Sequence, residues 1–329
     1  MSKQGKITNA LLPDMQQTTD GFYKKRIAKV GVRNIIQTLP VITKEGSIQS
    51  VVATISSYCD LQEGIKGINM SKIARTINDI LHKPPPNGYV SLLLKEFVRE
   101  LVKNHQSQDA YIKVSFTYIL DEKTPMSGLY SQEPIDITIE SFYKNNEYGT
   151  YLTVKTVAMS LCPCSKEMSL LKNNLLLEEW AYLFDCKNIS KKLQEKLLNA
   201  GFGAHNQRSH INVTVGLDER LPIPYIEDIY EISKKASSCS TRSVLKREDE
   251  KFVTEVSYMG GYFDDDKEFI EVGGGPRFVE DIARGVAEQL DTELDKTIND
   301  YVIVVSNDES IHSGGIQAVA VLNAGRNLK

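Results

Sequence analysis

TYLTVKTVAMSLCPCSKE, residues Thr150 to Glu167, starts as a strand, Thr150 to Leu161, and delivers the chain to a thiol-rich segment, Cys162-Pro163-Cys164. It is answered by GAHNQRS, Gly203 to Ser209, from which a second strand, Ser209 to Gly216, leads away. Both segments set soft or borderline metal ligands and charged groups at strand ends, where folding alone does not explain them.

Working downstream, helices are expected near Tyr225–Ser238 and Pro276–Leu290, then strands at Tyr301–Ser306 and Gly315–Leu322. Upstream, Arg26 to Leu61 alternates apolar and polar residues, with Pro40 and Glu45-Gly46 marking turns, which reads as strands. Asn69 or Ser71 caps a helix carrying Ile73, Ala74, Ile77, Ile80 and Leu81, and Pro84-Pro85-Pro86-Asn87-Gly88 stops it. A second helix spans about Val90 to His105, with Leu93, Leu94, Phe97, Val98 and Leu101 on one face; strands follow at Ala110–Leu120 and Ile135–Tyr143. The second half thus repeats the strand, helix and strand pattern of the first, without detectable self-similarity.

Two segments stand apart. Leu170 to Ala200 places Leu175, Leu176, Trp180, Leu183, Leu193, Leu197 and Leu198 at helical spacing and reads as a helical insertion ending at Gly201. Gly260 to Gly275 reads as a loop or hairpin, and its Asp264-Asp265-Asp266 triplet as a solvated turn in preference to a calcium site.

With 329 residues, 41% of them hydrophobic, the chain can bury a core in each of two domains. The net charge of −4 excludes a general basic field for nucleic acid, so phosphate binding would rest on local Lys and Arg. Met1 to Asp20 is polar and has no apolar core of the signal-peptide kind. No apolar run is long enough to cross a membrane. Five scattered cysteines, Cys59, Cys162, Cys164, Cys186 and Cys239, point to a reducing compartment and hence the cytoplasm.

Cys162 and Cys164 are too close for a zinc knuckle, and no second pair completes one. One thiolate can ligate a metal while the other supports it; alternatively both are half-buried thiols at a strand end. His205, in a polar glycine-led segment, is either an inert exposed side chain or, with Cys162, part of a mixed sulfur and nitrogen set suited to zinc or another transition metal. Lys246 to Lys251 supplies carboxylates for a third ligand, or is a solvated charged turn. Glu309 and His312 form an acid/base pair, or merely sit on a loop.

Taken together, SLCPCSKEMS (Ser160–Ser169), GAHNQRS, LKREDEK (Leu245–Lys251) with Val253-Thr254-Glu255, PRFVED (Pro276–Asp281), ESIH (Glu309–His312) and KGINMS (Lys66–Ser71) resemble, in order, the signature blocks of the type IB GTP cyclohydrolases. The resemblance implies an α+β tunnelling fold of two tandem modules, each an antiparallel sheet with two helices packed on one face. The modules would be residues 21–148 and 149–329 after a tail of residues 1–20, with insertions at about 170–202 and 260–275. The order of strands and helices read above is compatible with this.

The resemblance further implies a homotetramer with interfacial active sites, GTP as substrate, and one divalent metal per site (Zn2+, Mn2+ or Fe2+) on Cys162, His205 and Glu250, with no organic cofactor. Glu280 would hold the guanine edge, His312 would transfer protons with Glu309 orienting it, and Cys164 would support the metal. Lys166, Arg208 and Arg247, each a cation beside a motif residue, would contact the triphosphate or else form ordinary surface salt bridges. The product implied is 7,8-dihydroneopterin 3'-triphosphate for tetrahydrofolate synthesis. Rival readings are a cyclohydrolase ending in a 2',3'-cyclic phosphate, a nitrile reductase on the same fold, and an inactive nucleotide-binding scaffold.

The chain departs from the pattern in its two insertions, in Lys72 where Arg is common, and in Ser313-Gly314 where a second His often follows.

Overall fold

A computed structural model describes residues 24–85, 89–183, 203–218 and 220–325. The chain forms two compact units: one takes the residues up to Ile42, Gly46–Phe116 and Thr138–Thr150, the other Thr43–Glu45, Thr117–Ile137 and the residues from Tyr151 onward.

In the first unit β1 (Ile27–Ile42) and β2 (Ile48–Leu61) form an antiparallel hairpin, and β2 pairs with β3 (Ala110–Lys123). The β1–β2 register slips between Val32 and Ile35, where Asn34 takes φ 62°, a left-handed conformation that Asn tolerates and a β-bulge uses. Along β2, Val51, Ala53, Ile55 and Cys59 are buried while Ser50, Val52 and Thr54 are not, the two-residue period of a sheet with one covered face. Two helices, α1 (Met70–Leu81) and α2 (Val90–His105), supply the matching apolar faces, Ile73, Ile77, Leu93, Leu94, Phe97 and Leu101.

The cap of α1 resolves to Asn69, whose side chain accepts from Lys72 N at 3.1 Å. Lys72 also donates Nζ to Asn104 O at 2.8 Å, a cation on the carbonyl-rich end of α2. Arg26 bridges buried Asp60 (3.0 Å) and Asp109 (2.9 Å), and Asp60 accepts the backbone N–H of Gln108 and of Asp109, both at 2.8 Å.

The second unit holds β5 (Glu147–Leu161, from Tyr151 on), α3 (Pro163–Leu183), β6 (Asn206–Leu217), α4 (Ile226–Ala236), β7 (Cys239–Ser240), α5 (Arg247–Met259), β8 (Gly261–Phe263), β9 (Phe269–Glu271), α6 (Val279–Glu293), β10 (Ile298–Asp308) and β11 (Gln317–Ala324). The hairpin turn between β3 and β4 (Tyr130–Lys144) also lies here. Strands β5, β6, β10 and β11 pair antiparallel in that order, and β7 adds to β5. Ile211, Val213, Val215, Ile303 and Val305 face a core completed by Ile229 and Ile232 of α4 and by Ile282, Val286 and Leu290 of α6. Gly285 of α6 faces Ala236 of α4, where an added Cβ would just touch the Ala236 Cβ at 3.4 Å.

The α+β expectation with antiparallel strands is met, two readings change, and the loop or hairpin expected at Gly260–Gly275 resolves to a hairpin. The helix after Cys162 begins at Pro163, not Leu170, because proline at the first helical position gives up an N–H that has no partner there anyway. Its continuation, residues 184–202, lies outside the described residues. Lys246–Lys251, which could be read as a charged turn, opens α5. The acidic residues there are first-turn and cap chemistry, and the apolar contacts, Val253 and Val256 against Cys239, come later in the helix. Gly260–Gly275 forms the β8–β9 hairpin, whose turn is closed by Asp264 Oδ1 accepting Glu268 N at 2.8 Å.

Candidate active site

Strands β5 and β6 pair without a slip from Tyr151 opposite Gly216 to Leu161 opposite Asn206. The residue after one strand, Cys162, and the residue before the other, His205, therefore meet, and Cys162 N donates to His205 O at 3.3 Å. Ser165 Oγ accepts His205 N at 3.3 Å, and Lys166 N donates to Cys162 O at 3.2 Å as α3 starts. Cys162 is half-buried; Cys164 is exposed on the first turn of α3. The His205 ring sets Nδ1 3.1 Å from Ser310 Oγ, which leaves Nε2 as its open nitrogen.

A thiol and an imidazole nitrogen with its other nitrogen held by a neighbour make a donor pair that fits zinc or a similar divalent metal. Among the described residues, no group of three or more His, Cys, Asp or Glu side chains is gathered as a metal cage. Glu250 stands exposed on the first turn of α5.

The start of α5 is fixed by its buried neighbour Asp249. That carboxylate accepts Met126 N (2.9 Å), Ser127 N (3.0 Å), Ser127 Oγ (2.5 Å) and Lys246 N (3.0 Å). Burial alone would raise its proton affinity; the hydrogen bonds from Ser127, Lys246 and Met126 outweigh that and hold it well below the usual carboxylate range. Arg247, like Glu250, is exposed.

The other candidate residues sit on separate elements. Arg277 N donates to Leu161 O at 3.2 Å, tying the segment before α6 to that strand; Glu280 is exposed on the first turn of α6, and Asp281 caps Phe278 N at 2.9 Å. Lys166 Nζ lies 5.0 Å from the centre of the Tyr258 ring, and burial lowers its pKa. Arg208 is exposed beside His205. His312 is exposed in the turn after β10, its N–H on Glu309 O at 3.1 Å.

Beneath these groups runs a polar network that sequence patterning did not single out. Ser160 Oγ donates to Arg277 O (2.7 Å), Asn307 Nδ2 donates to Ser160 Oγ (2.9 Å) and to Gln207 Oε1 (3.4 Å), and Gln207 Nε2 donates to Glu309 Oε2. The signal available was the inward phase of Ser160, Gln207 and Asn307 on three strands whose other inward residues are, Thr156 and Ser209 apart, mostly apolar. Asp249 and Ser310 were likewise missed, although both lie inside the quoted motifs.

The chain matches the family model described as type I GTP cyclohydrolase folE2 over residues 12–318. Similar curated proteins include GTP cyclohydrolase FolE2 of Dictyoglomus turgidum, 31% identical over 304 residues, with 92% of this chain and 95% of that protein covered. FolE2 of Azoarcus sp. (strain BH72) is 29% identical over 309 residues, with 94% of each covered. Among solved structures, uricase from Arthrobacter globiformis matches 92% of this chain and 94% of that one at 6% identity, with a TM-score of 0.49.

Proposed function

The chain belongs to the type I GTP cyclohydrolase FolE2 family, and from that premise we propose that it is a GTP cyclohydrolase I. It opens the imidazole ring of GTP hydrolytically at C8, releases formate and yields 7,8-dihydroneopterin 3'-triphosphate for tetrahydrofolate biosynthesis. The observation that carries this reading is the meeting of Cys162 and His205 at the ends of β5 and β6, with Ser310 on Nδ1.

Cys162, His205 and Glu250 would hold one divalent metal, zinc, manganese or ferrous iron, with Cys164 in support. When bound, the metal lowers the pKa of a water so that hydroxide is available near neutral pH. Glu280 can accept two parallel hydrogen bonds from the guanine ring N–H and exocyclic amine, a pattern that adenine does not offer. His312, steadied by Glu309, carries protons to the ring nitrogen or the ribose oxygen as the C8–N9 bond opens and the sugar rearranges. Lys166, Arg208 and Arg247 answer the triphosphate charge.

We assign the active form to a homotetramer with interfacial sites, built from tunnelling-fold modules and located in the cytoplasm. The exposure of Glu250, Glu280 and His312 supports a site completed by a second copy. So do Val319 and Val321, 56% and 62% exposed on β11. Among the described residues no helix is long and apolar enough to cross a membrane.

The deciding experiment incubates the purified protein with GTP and each of the three metals, following formate, pterin fluorescence and product mass. Turnover should yield the linear triphosphate, and Cys162→Ala should lose bound metal and at least 100-fold in rate. No GTP consumption with any of these metals, or a fully active Cys162→Ala, refutes the proposal; a cyclic phosphate product refutes the product assignment.

A further inference from the structure

The network under the site has a direction fixed by elementary chemistry. Arg277 O is a backbone carbonyl and can only accept, so the single hydroxyl proton of Ser160 is committed to it at 2.7 Å. Toward Asn307, Ser160 Oγ can then only accept, which turns the Asn307 amide nitrogen toward it at 2.9 Å. The same nitrogen lies 3.4 Å from Gln207, so Gln207 presents its oxygen inward and its nitrogen outward, on Glu309 Oε2. Asn307 on β10 thus donates both ways, to Ser160 on β5 and through it to Arg277 O, and to Gln207 on β6 and through it to the Glu309 carboxylate in the turn after β10.

The network is also buried and incompletely satisfied. Ser160 is fully buried, Asn307 is 2% exposed and Gln207 7%. Asn307 Oδ1 has no hydrogen-bond partner among the described residues. Apolar residues would pack these inward positions without that loss, as Ile211, Val213, Ile303 and Val305 do on the same strands.

We propose that Gln207 is a positioning residue of the cyclohydrolase site: anchored through Asn307 and Ser160, it holds the Glu309 carboxylate in the one orientation from which it can steady His312. This rests on the function proposed above and adds to it a requirement for donor direction. Gln207 itself touches neither substrate nor metal in this assignment.

The test uses the full-length, metal-loaded protein. Gln207→Glu is isosteric but puts a carboxylate against Glu309; kcat should fall 10- to 100-fold, while KM for GTP stays within threefold and bound metal is unchanged. Asn307→Asp never touches Glu309, yet it can no longer donate to Gln207, so the Gln207 amide turns over and faces its oxygen to Glu309. It should show the same kcat-selective loss.

Wild-type kcat in a folded Gln207→Glu or Asn307→Asp overturns the proposal, and so does a loss confined to KM, to metal content or to melting temperature. If both variants fail to fold, the network serves the fold alone and the proposal likewise falls. A readout independent of turnover separates this inference from the assigned reaction. In protein labelled with 15N-glutamine, the Gln207 side-chain amide should be slow to exchange and should shift and speed up in Glu309→Ala. An unaffected signal refutes the relay even if GTP is consumed; a wild type inert to GTP refutes the reaction even if the signal behaves as described.

Discussion

Replacing Asp249 by Asn is the most direct test of how α5 is held. The change keeps size and shape and alters only what the side chain can accept. The carboxamide oxygen can still receive Met126 N and Ser127 N, now at 2.9 and 3.0 Å from Oδ1. The new NH2 replaces the oxygen that receives Ser127 Oγ and Lys246 N. Ser127 can rotate its hydroxyl and accept; Lys246 N–H cannot, and is left facing another donor.

One lost charged hydrogen bond and one unsatisfied N–H amount to about 1–3 kcal/mol. For a unit of this size that lowers the melting midpoint by roughly 2–4 °C per kcal/mol.

The pH dependence has a definite sign. The carboxylate holds its proton less tightly when folded than the roughly 3.9 of an unfolded Asp. Its stabilisation is therefore present above about pH 4 and is lost as pH falls from there toward the folded value. Urea unfolding followed by circular dichroism at pH 7 and pH 3, wild type against Asp249→Asn, should show a gap that narrows at pH 3. A gap below 0.5 kcal/mol at pH 7, or one that widens on acidification, refutes the reasoning.

Further outcomes follow from other contacts. Ser310→Ala frees Nδ1 of His205 and should weaken metal binding about 10- to 100-fold, measured by competition with a chelating dye, with little change in melting. Asp300 is buried, and burial raises its pKa against the opposing Gly216 N–H bond; its charged form costs stability as pH rises through the folded value, so Asp300→Asn should raise the urea midpoint at pH 7 and lose that advantage by pH 3. At Gly31 an added Cβ would sit 1.9 Å from Ser57 O, a backbone atom that cannot step aside, so Gly31→Ala should destabilise the first unit by about 1–3 kcal/mol or more in urea unfolding.

Much of the fold was legible because strong periodicity was sustained over long segments. α2 runs from Val90 to His105 as its apolar stripe requires, and β2 alternates as written. α5 was not legible as a helix because its first four residues are Arg247, Glu248, Asp249 and Glu250, a charge run that resembles a turn until Asp249 is seen receiving the Lys246 N–H. For the site, the Cys162 and His205 pair followed from two motifs at strand ends, and the β5–β6 register joins them. Gln207 was hidden because a polar residue in a strand has no preferred meaning until register and burial put Ser160 and Asn307 beside it. Glu250, Glu280 and His312 lie on three separate elements, and periodicity along one chain says nothing of how such elements are placed relative to one another.

The adjacency of Cys162 and His205 has a consequence for chain design. The polypeptide leaves the sheet at one and re-enters it beside the other, so the two ends of the intervening loop coincide. Closing such a loop costs entropy only logarithmically in its length, about 0.6 kcal/mol for each doubling. This point in the sheet can therefore take up or give up tens of residues while the thiol and the imidazole stay in place, which makes it the natural splice point for grafting a foreign domain onto this scaffold.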